Sequence, residues 1–179
     1  MCIRDRSCIG PSEEHVSMAG IPTEASILAM VERAMPGKLQ NVYCASCGGG
    51  KYMAVLQFKK SVPSDEGRQR QAALLAFSAF SELKHVFLVD EDVDCFDLSD
   101  VIWAMNTRFQ ADVDLIPIPG VRCHPLDPSN DPTISPSIRD HGIACKAIFD
   151  CTVPFDQKHR FQRSKFKELD PKKWVPDLF

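Results

Sequence analysis

The chain has 179 residues and a formal net charge of −3, with 44% hydrophobic and 25% charged residues. That balance suits one compact soluble domain with a tail, or a piece of something larger. It carries no basic field advertising nucleic acid or an anionic membrane, and no apolar run long enough to cross a bilayer. Basic residues do gather in Lys158–Lys173, but acids are interleaved there and the segment reads as a solvated tail. The eight cysteines come without an export signal, so reduced thiols in a cytoplasmic protein are expected rather than a disulfide framework.

Met1-Cys2-Ile3-Arg4-Asp5-Arg6 resembles a translated sequencing adapter, with a genuine short tail as the alternative. Residues 1–18 lack periodicity and are expected to be loose. Ile21-Pro22-Thr23-Glu24 has the chemistry of a helix start, and Ile27, Leu28, Val31 and Met35 share a helical stripe that Pro36-Gly37 ends. Asn41–Ser46 and Tyr52–Lys59 read as strands joined by a turn at Cys47-Gly48-Gly49-Gly50. Ser64-Asp65-Glu66 opens a predicted helix over Asp65–Leu83, since a hydroxyl followed by acids suits a helix N-terminus.

His85–Val89 is a short apolar run, the pattern of a strand buried on both faces. Asp97 is placed to cap a helix over Leu98–Arg108, with Asp100 three residues on in a capping-box-like position. Val113–Ile118 reads as a strand that Pro117 confines to an edge. Six prolines between Pro117 and Pro136 then mark an extended loop, and Lys146–Thr152 returns briefly to the sheet. The expected organisation is a tail over 1–18, an α/β domain over 19–154 with a mixed sheet flanked by helices, and a C-terminal tail over 155–179. Spaced aromatics in that last tail suit contact with a neighbouring subunit.

Chemical motifs are sparse. Cys44-x-x-Cys47 has no second pair to complete a zinc site, and it does not open a helix as a redox pair would. Gly48-Gly49-Gly50-Lys51 lacks the spacing of a phosphate loop. The acidic run Asp90–Asp94 lacks the glycine and glutamate of a calcium loop, and is expected to cap amides and to pair with Arg108 or Lys84. No catalytic residue and no metal ligand can be named from the motifs.

His85-Val-Phe-Leu-Val-Asp-Glu-Asp-Val-Asp94, followed by Asp100-Val-Ile-Trp-Ala-Met-Asn-Thr-Arg108, resembles the C-terminal domain of the UbiD family of reversible non-oxidative decarboxylases. Glu24–Leu28, Phe58-Lys59-Lys60 and Lys146–Thr152 are similar to further segments of that domain, in the same order. The resemblance implies an N-terminally truncated piece of an enzyme acting on an aromatic or α,β-unsaturated carboxylic acid. It implies prenylated FMN with a divalent metal, manganese, held mainly in a preceding domain, and a homo-oligomer. For this chain it implies subunit contacts, closure of the active site and no activity alone. The family's basic residue near the flavin phosphate aligns near Ser78, a departure, which leaves Arg70 or Lys84 as substitutes. A non-catalytic assembly module is the alternative.

Overall fold

The computed structural model describes residues 13–124, 127, 129 and 143–163. Five strands form one mixed sheet: β1 (Leu39–Cys44), β2 (Met53–Phe58), β3 (His85–Asp90), β4 (Leu115–Arg122) and β5 (Ile143–Asp150), in the spatial order β1-β2-β3-β5-β4. β2, β3 and β5 run parallel in the middle, and β1 and β4 are antiparallel edges. Two helices, α1 (Glu13–Ala34) and α2 (Arg68–Ala79), cover one face through Ile27, Val31, Ala72, Ala73 and Ala76. A third, α3 (Leu98–Arg108), covers the other face through Val101 and Ala104. The expected mixed sheet between helices is the architecture found.

β3 sits at the centre, with Val86 to Val89 buried in succession, as a strand covered on both faces requires. α3 has the expected bounds because its start is written locally: Asp97 accepts the Ser99 amide at 2.9 Å. Gly50 closes the β1–β2 turn in the left-handed region at φ +70°. A Cβ there would stand 2.8 Å from the Val16 carbonyl of α1, so both conformation and packing require glycine.

Several boundaries differ from expectation. α1 begins at Glu13, so Pro22 lies inside the helix rather than at its start, and part of the tail expected to be loose is helical. Pro22 leaves the helix without one amide donor. Nearby, the Thr23 hydroxyl donates to the Ala19 carbonyl at 2.7 Å and packing of Gly20, Thr23 and Ile27 holds the turn. Asp65 does not open a helix. It ends a 3-10 turn (Pro63–Asp65), and Gly67 at φ +85° precedes α2, which is shorter than Asp65–Leu83. Residues Ala111–Asp114 form a helical turn (α4), so β4 starts later than Val113 and continues to Arg122. β5 is a full interior strand rather than a brief return. Much of the proline-rich stretch after Arg122, and the tail beyond Arg163, lie outside the described residues.

Candidate functional site

In sheets of this kind ligands gather beyond the carboxyl ends of the parallel strands. Here those ends carry a dense polar cluster. Phe58, Asp90 and Asp150 end β2, β3 and β5, and Lys60, Thr152 and Val153 follow just beyond. The Lys60 side chain is fully buried, and its Nζ donates to the Val153 carbonyl (2.6 Å), Thr152 Oγ1 (3.1 Å) and Glu66 Oε1 (3.3 Å). Those three acceptors match the three protons of an ammonium. Two segments that resembled the family separately, Phe58-Lys59-Lys60 and Asp150-Cys151-Thr152, thus meet at one hydrogen bond.

Asp150 Oδ2 accepts Arg70 Nε at 2.6 Å and Gln69 Nε2 at 3.2 Å, while Arg70 Nη2 reaches Asp114 at 3.1 Å. Asp90 Oδ2 accepts the Val153 amide at 2.7 Å and Arg108 Nη1 at 3.2 Å. Asp92 takes both Arg108 nitrogens, at 2.9 and 2.6 Å. Burial pushes the Asp90 carboxyl above the ordinary carboxylate range, against the Val153 amide and the nearby cations. Asp92 is also desolvated, but the hydrogen bonds and charge of Arg108 hold it below that range. Arg108 therefore belongs chiefly to Asp92 and shields Asp90 as well. The expected pairing of the acidic run with Arg108 is the geometry found.

Asp100 departs from its expected capping-box role. Its carboxylate accepts the Asp94 amide at 2.7 Å and pairs with Arg163. A 3-10 segment, Phe155–Arg160, crosses the strand ends, so the expected tail starts by folding back on its own domain. Between this segment and the acidic run lies an open cleft of about 820 Å³, lined by Asp90, Asp92, Arg108, Lys158, Phe161 and Arg163 among others. Within it Asp90 Oδ1 and Arg108 Nε are buried and have no hydrogen-bond partner among the described residues.

The two basic positions named from sequence lie apart. Arg70 stands at the carboxyl ends, committed to Asp114 and Asp150. Lys84 stands just before β3, paired with Asp127 at 2.7 Å and hydrogen-bonded to Ser129. Six residues of strand, about 20 Å, separate the two ends, so one phosphate cannot use both. Each cation is already matched by carboxylate, and no group of three metal-capable side chains occurs among the described residues. These residues do not by themselves fit a flavin phosphate or a divalent cation. Cys44 is buried with its thiol pushed up to about 12 by desolvation and by Glu24, while Cys47 is exposed. Lys60, Glu66 and Asp150 were not singled out from sequence as site residues. Their side-chain partners lie up to 93 positions away, and the family-like segments around Lys60 and Asp150 were the one available signal.

A three-layer α/β domain with a polar cluster at its parallel strand ends, built from the very segments that suggested the family, defines the class. Residues 16–151 match the family described as the 3-octaprenyl-4-hydroxybenzoate carboxy-lyase C-terminal domain, and the chain belongs to it. It is 63% identical over 165 residues to gallate decarboxylase of Lactiplantibacillus plantarum, covering 92% of this chain and 34% of that protein. The apo structure of 3,4-dihydroxybenzoic acid decarboxylase from Enterobacter cloacae superposes with a TM-score of 0.85 at 59% identity, over 95% of this chain and 35% of that one. The UbiD-class enzyme HmfF from Pelotomaculum thermopropionicum, in complex with FMN, gives 0.77 at 33% identity, over 92% of this chain and 34% of that one. The chain spans about a third of the length of these relatives. No helix among the described residues is long and apolar enough to cross a membrane.

Proposed function

We propose that this chain is the C-terminal portion of a prenylated-FMN-dependent carboxy-lyase that reversibly decarboxylates an aromatic acid of the hydroxybenzoate class. The observation that carries this is the 63% identity to gallate decarboxylase over 92% of the chain, with a 3,4-dihydroxybenzoate decarboxylase at 59%. In this reading the domain 19–154 packs against the flavin-bearing part, walls its cleft and contributes contacts to a homo-oligomer. The FMN in HmfF supports the cofactor assignment. Manganese is proposed as the accompanying metal, with its ligands in the remainder of the protein. Among the described residues, the free thiols of Cys44, Cys47, Cys95, Cys145 and Cys151 suit a cytoplasmic location.

Arg70 or, in its place, Lys84 is the proposed contact of this chain toward the flavin phosphate. Either would have to exchange its carboxylate partners to serve, and of the two only Arg70 stands at the carboxyl ends of the parallel strands, on Asp150.

A fusion tests the proposal. The chain replaces the matching C-terminal third of the L. plantarum gallate decarboxylase, and decarboxylation of gallate is followed after loading with prenylated FMN. Turnover is the expected result. A folded, flavin-loaded fusion without turnover of gallate or 3,4-dihydroxybenzoate would overturn the reading. Loss of flavin retention in Arg70→Ala but not Lys84→Ala would assign the phosphate contact to Arg70.

A further inference from the structure

The segment after β5 changes character at Pro154. Cys151, Thr152 and Val153 are buried, whereas residues 154–163 are exposed except for the half-buried Phe155 and Lys158. No residue of 154–163 belongs to either hydrophobic cluster. It is held instead by polar ties. The Phe155 amide donates to Glu66 at 2.8 Å, and Lys158 Nζ donates to the Lys60 carbonyl at 3.1 Å. Lys158 also pairs with Glu91 at 3.6 Å, and stands 4.0 Å from Asp90. At the far end Arg163 pairs with Asp100 while its guanidinium lies 3.8 Å from the centre of the Trp103 ring.

These ties bridge the cleft. One side is the acidic run and α3, the other is the segment itself, and the buried Asp90–Arg108 pair forms the floor. Ion pairs at the surface are individually weak and are screened by salt, whereas apolar packing is not. A segment held by the first and lacking the second can lift without disturbing the core.

We propose that residues 154–163 form an electrostatically latched strap over the strand-end cleft, hinged at Val153–Pro154 and clasped by Arg163 on Asp100 and Trp103. Lifting the strap exposes the Asp90–Arg108 floor, so access to the cleft depends on ionic strength and on any anion that competes for Arg163. This holds whichever reaction the full-length protein performs.

Amide hydrogen exchange on the 179-residue chain tests it, with the amides of Phe155, Gln157 and Phe161 as reporters and those of β3 as reference. Between 0.1 and 1 M NaCl the screening length falls from about 10 to about 3 Å. The reporters are expected to exchange roughly tenfold faster at the higher salt, the size expected when two or three surface ion pairs are screened. The β3 amides stay unchanged. Arg163→Gln, a surface change that leaves the core intact, reproduces the acceleration at 0.1 M. In a Trp174→Phe background, Trp103 fluorescence shifts under the same conditions. Reporters as protected as β3 and unmoved by salt or by Arg163→Gln would overturn the proposal, since the strap would then be part of the core. Complete exchange already at 0.1 M would overturn it equally, since there would be no latch.

Discussion

Arg108 is the side chain on which the stability of the strand-end cluster should depend most visibly. It is 2% exposed, its partner Asp90 4%, and its bidentate partner Asp92 38%. Removing Arg108 strands a buried carboxylate and strips the cation from the Trp103 ring, 5.1 Å away. Loss of one partner from a buried pair costs about 3–5 kcal/mol. Asp92 is more than a third exposed and solvent already screens it. Asp92→Ala therefore costs less, about 1–2 kcal/mol, between the ranges for exposed and buried pairs. For a chain of this size each kcal/mol moves Tm by roughly 2–4 °C, so Arg108→Ala should melt upward of roughly 6 °C lower. The double variant should cost less than the sum of the single ones, by about 1–2 kcal/mol, because the two remove one shared interaction.

The pH dependence supplies a second readout. The Asp90 carboxyl is already raised by burial, and without Arg108 it rises further. A group whose folded pKa exceeds its unfolded value binds its proton more readily in the folded state, so stability grows as pH falls through that folded pKa. The deficit of Arg108→Ala should accordingly shrink between pH 7 and pH 5. Thermal unfolding of the four proteins at both pH values, with and without chelator, decides the matter. Strict additivity, a pH-independent deficit and a strong effect of chelator would together refute an ion-pair role and favour a metal site.

Three further outcomes are expected. Asp65, which accepts Lys38 at 2.5 Å and the Ser61 and Val62 amides, is held down to about 2 by these bonds against its desolvation. Its contribution is present above the unfolded pKa near 4 and is lost as pH falls through 2, so Asp65→Asn should lower Tm at pH 7 and flatten acid denaturation between pH 4 and 2. Among the described cysteines, brief alkylation of the native chain at pH 8, mapped by mass spectrometry, should label the exposed Cys47 and Cys145 and spare Cys44 and Cys151, whose thiols burial holds near 12; stoichiometric zinc lost in Cys47→Ser would contradict it. The purified 179-residue chain, supplied with prenylated FMN and manganese, should turn over neither gallate nor 3,4-dihydroxybenzoate; turnover abolished by a point change in this chain would show the reacting groups to lie here.

What could be read in the sequence was what short-range chemistry determines. α3 was legible to the residue because a capping aspartate precedes it and apolar positions recur along it. β3 was legible because a strand covered on both faces is apolar throughout. α1 was misjudged at its start since Pro22 normally marks one, and only packing against Gly50 and Cys44 shows the earlier turns to be helical. β5 was underread because Lys146 and Asp150 look like solvent-facing residues. The structure buries both, Lys146 against the Ser81 carbonyl at 2.6 Å and the Phe77 ring, and Asp150 against Gln69 and Arg70. The acidic run was assigned its partner correctly because Arg108 lies one helix away. The strap was invisible, since its ties join residues 60 to 98 positions apart and leave no periodicity.

The two buried lysines among the described residues show how the strand ends and strand starts differ as surroundings for charge. Lys60 has three acceptors for three protons and stands where β2, the turn before α2 and the segment after β5 converge. It serves as a fixed cross-link, because a satisfied buried ammonium resists any motion that would orphan it. Lys146, near the opposite end of the sheet, has one carbonyl and the face of a ring, and burial lowers its pKa. Along with Lys60, the cations at the carboxyl ends, Arg70 and Arg108, are each bound by carboxylates of this same chain. A cation that meets a substrate needs to be free of other partners, and these are already engaged within the chain. The cluster is thus built to keep the strand ends in place beneath a strap that can move. In the proposed reading the domain supplies a rigid wall and a salt-sensitive cover, and the reacting groups are to be sought in the two thirds of its relatives that this chain does not span.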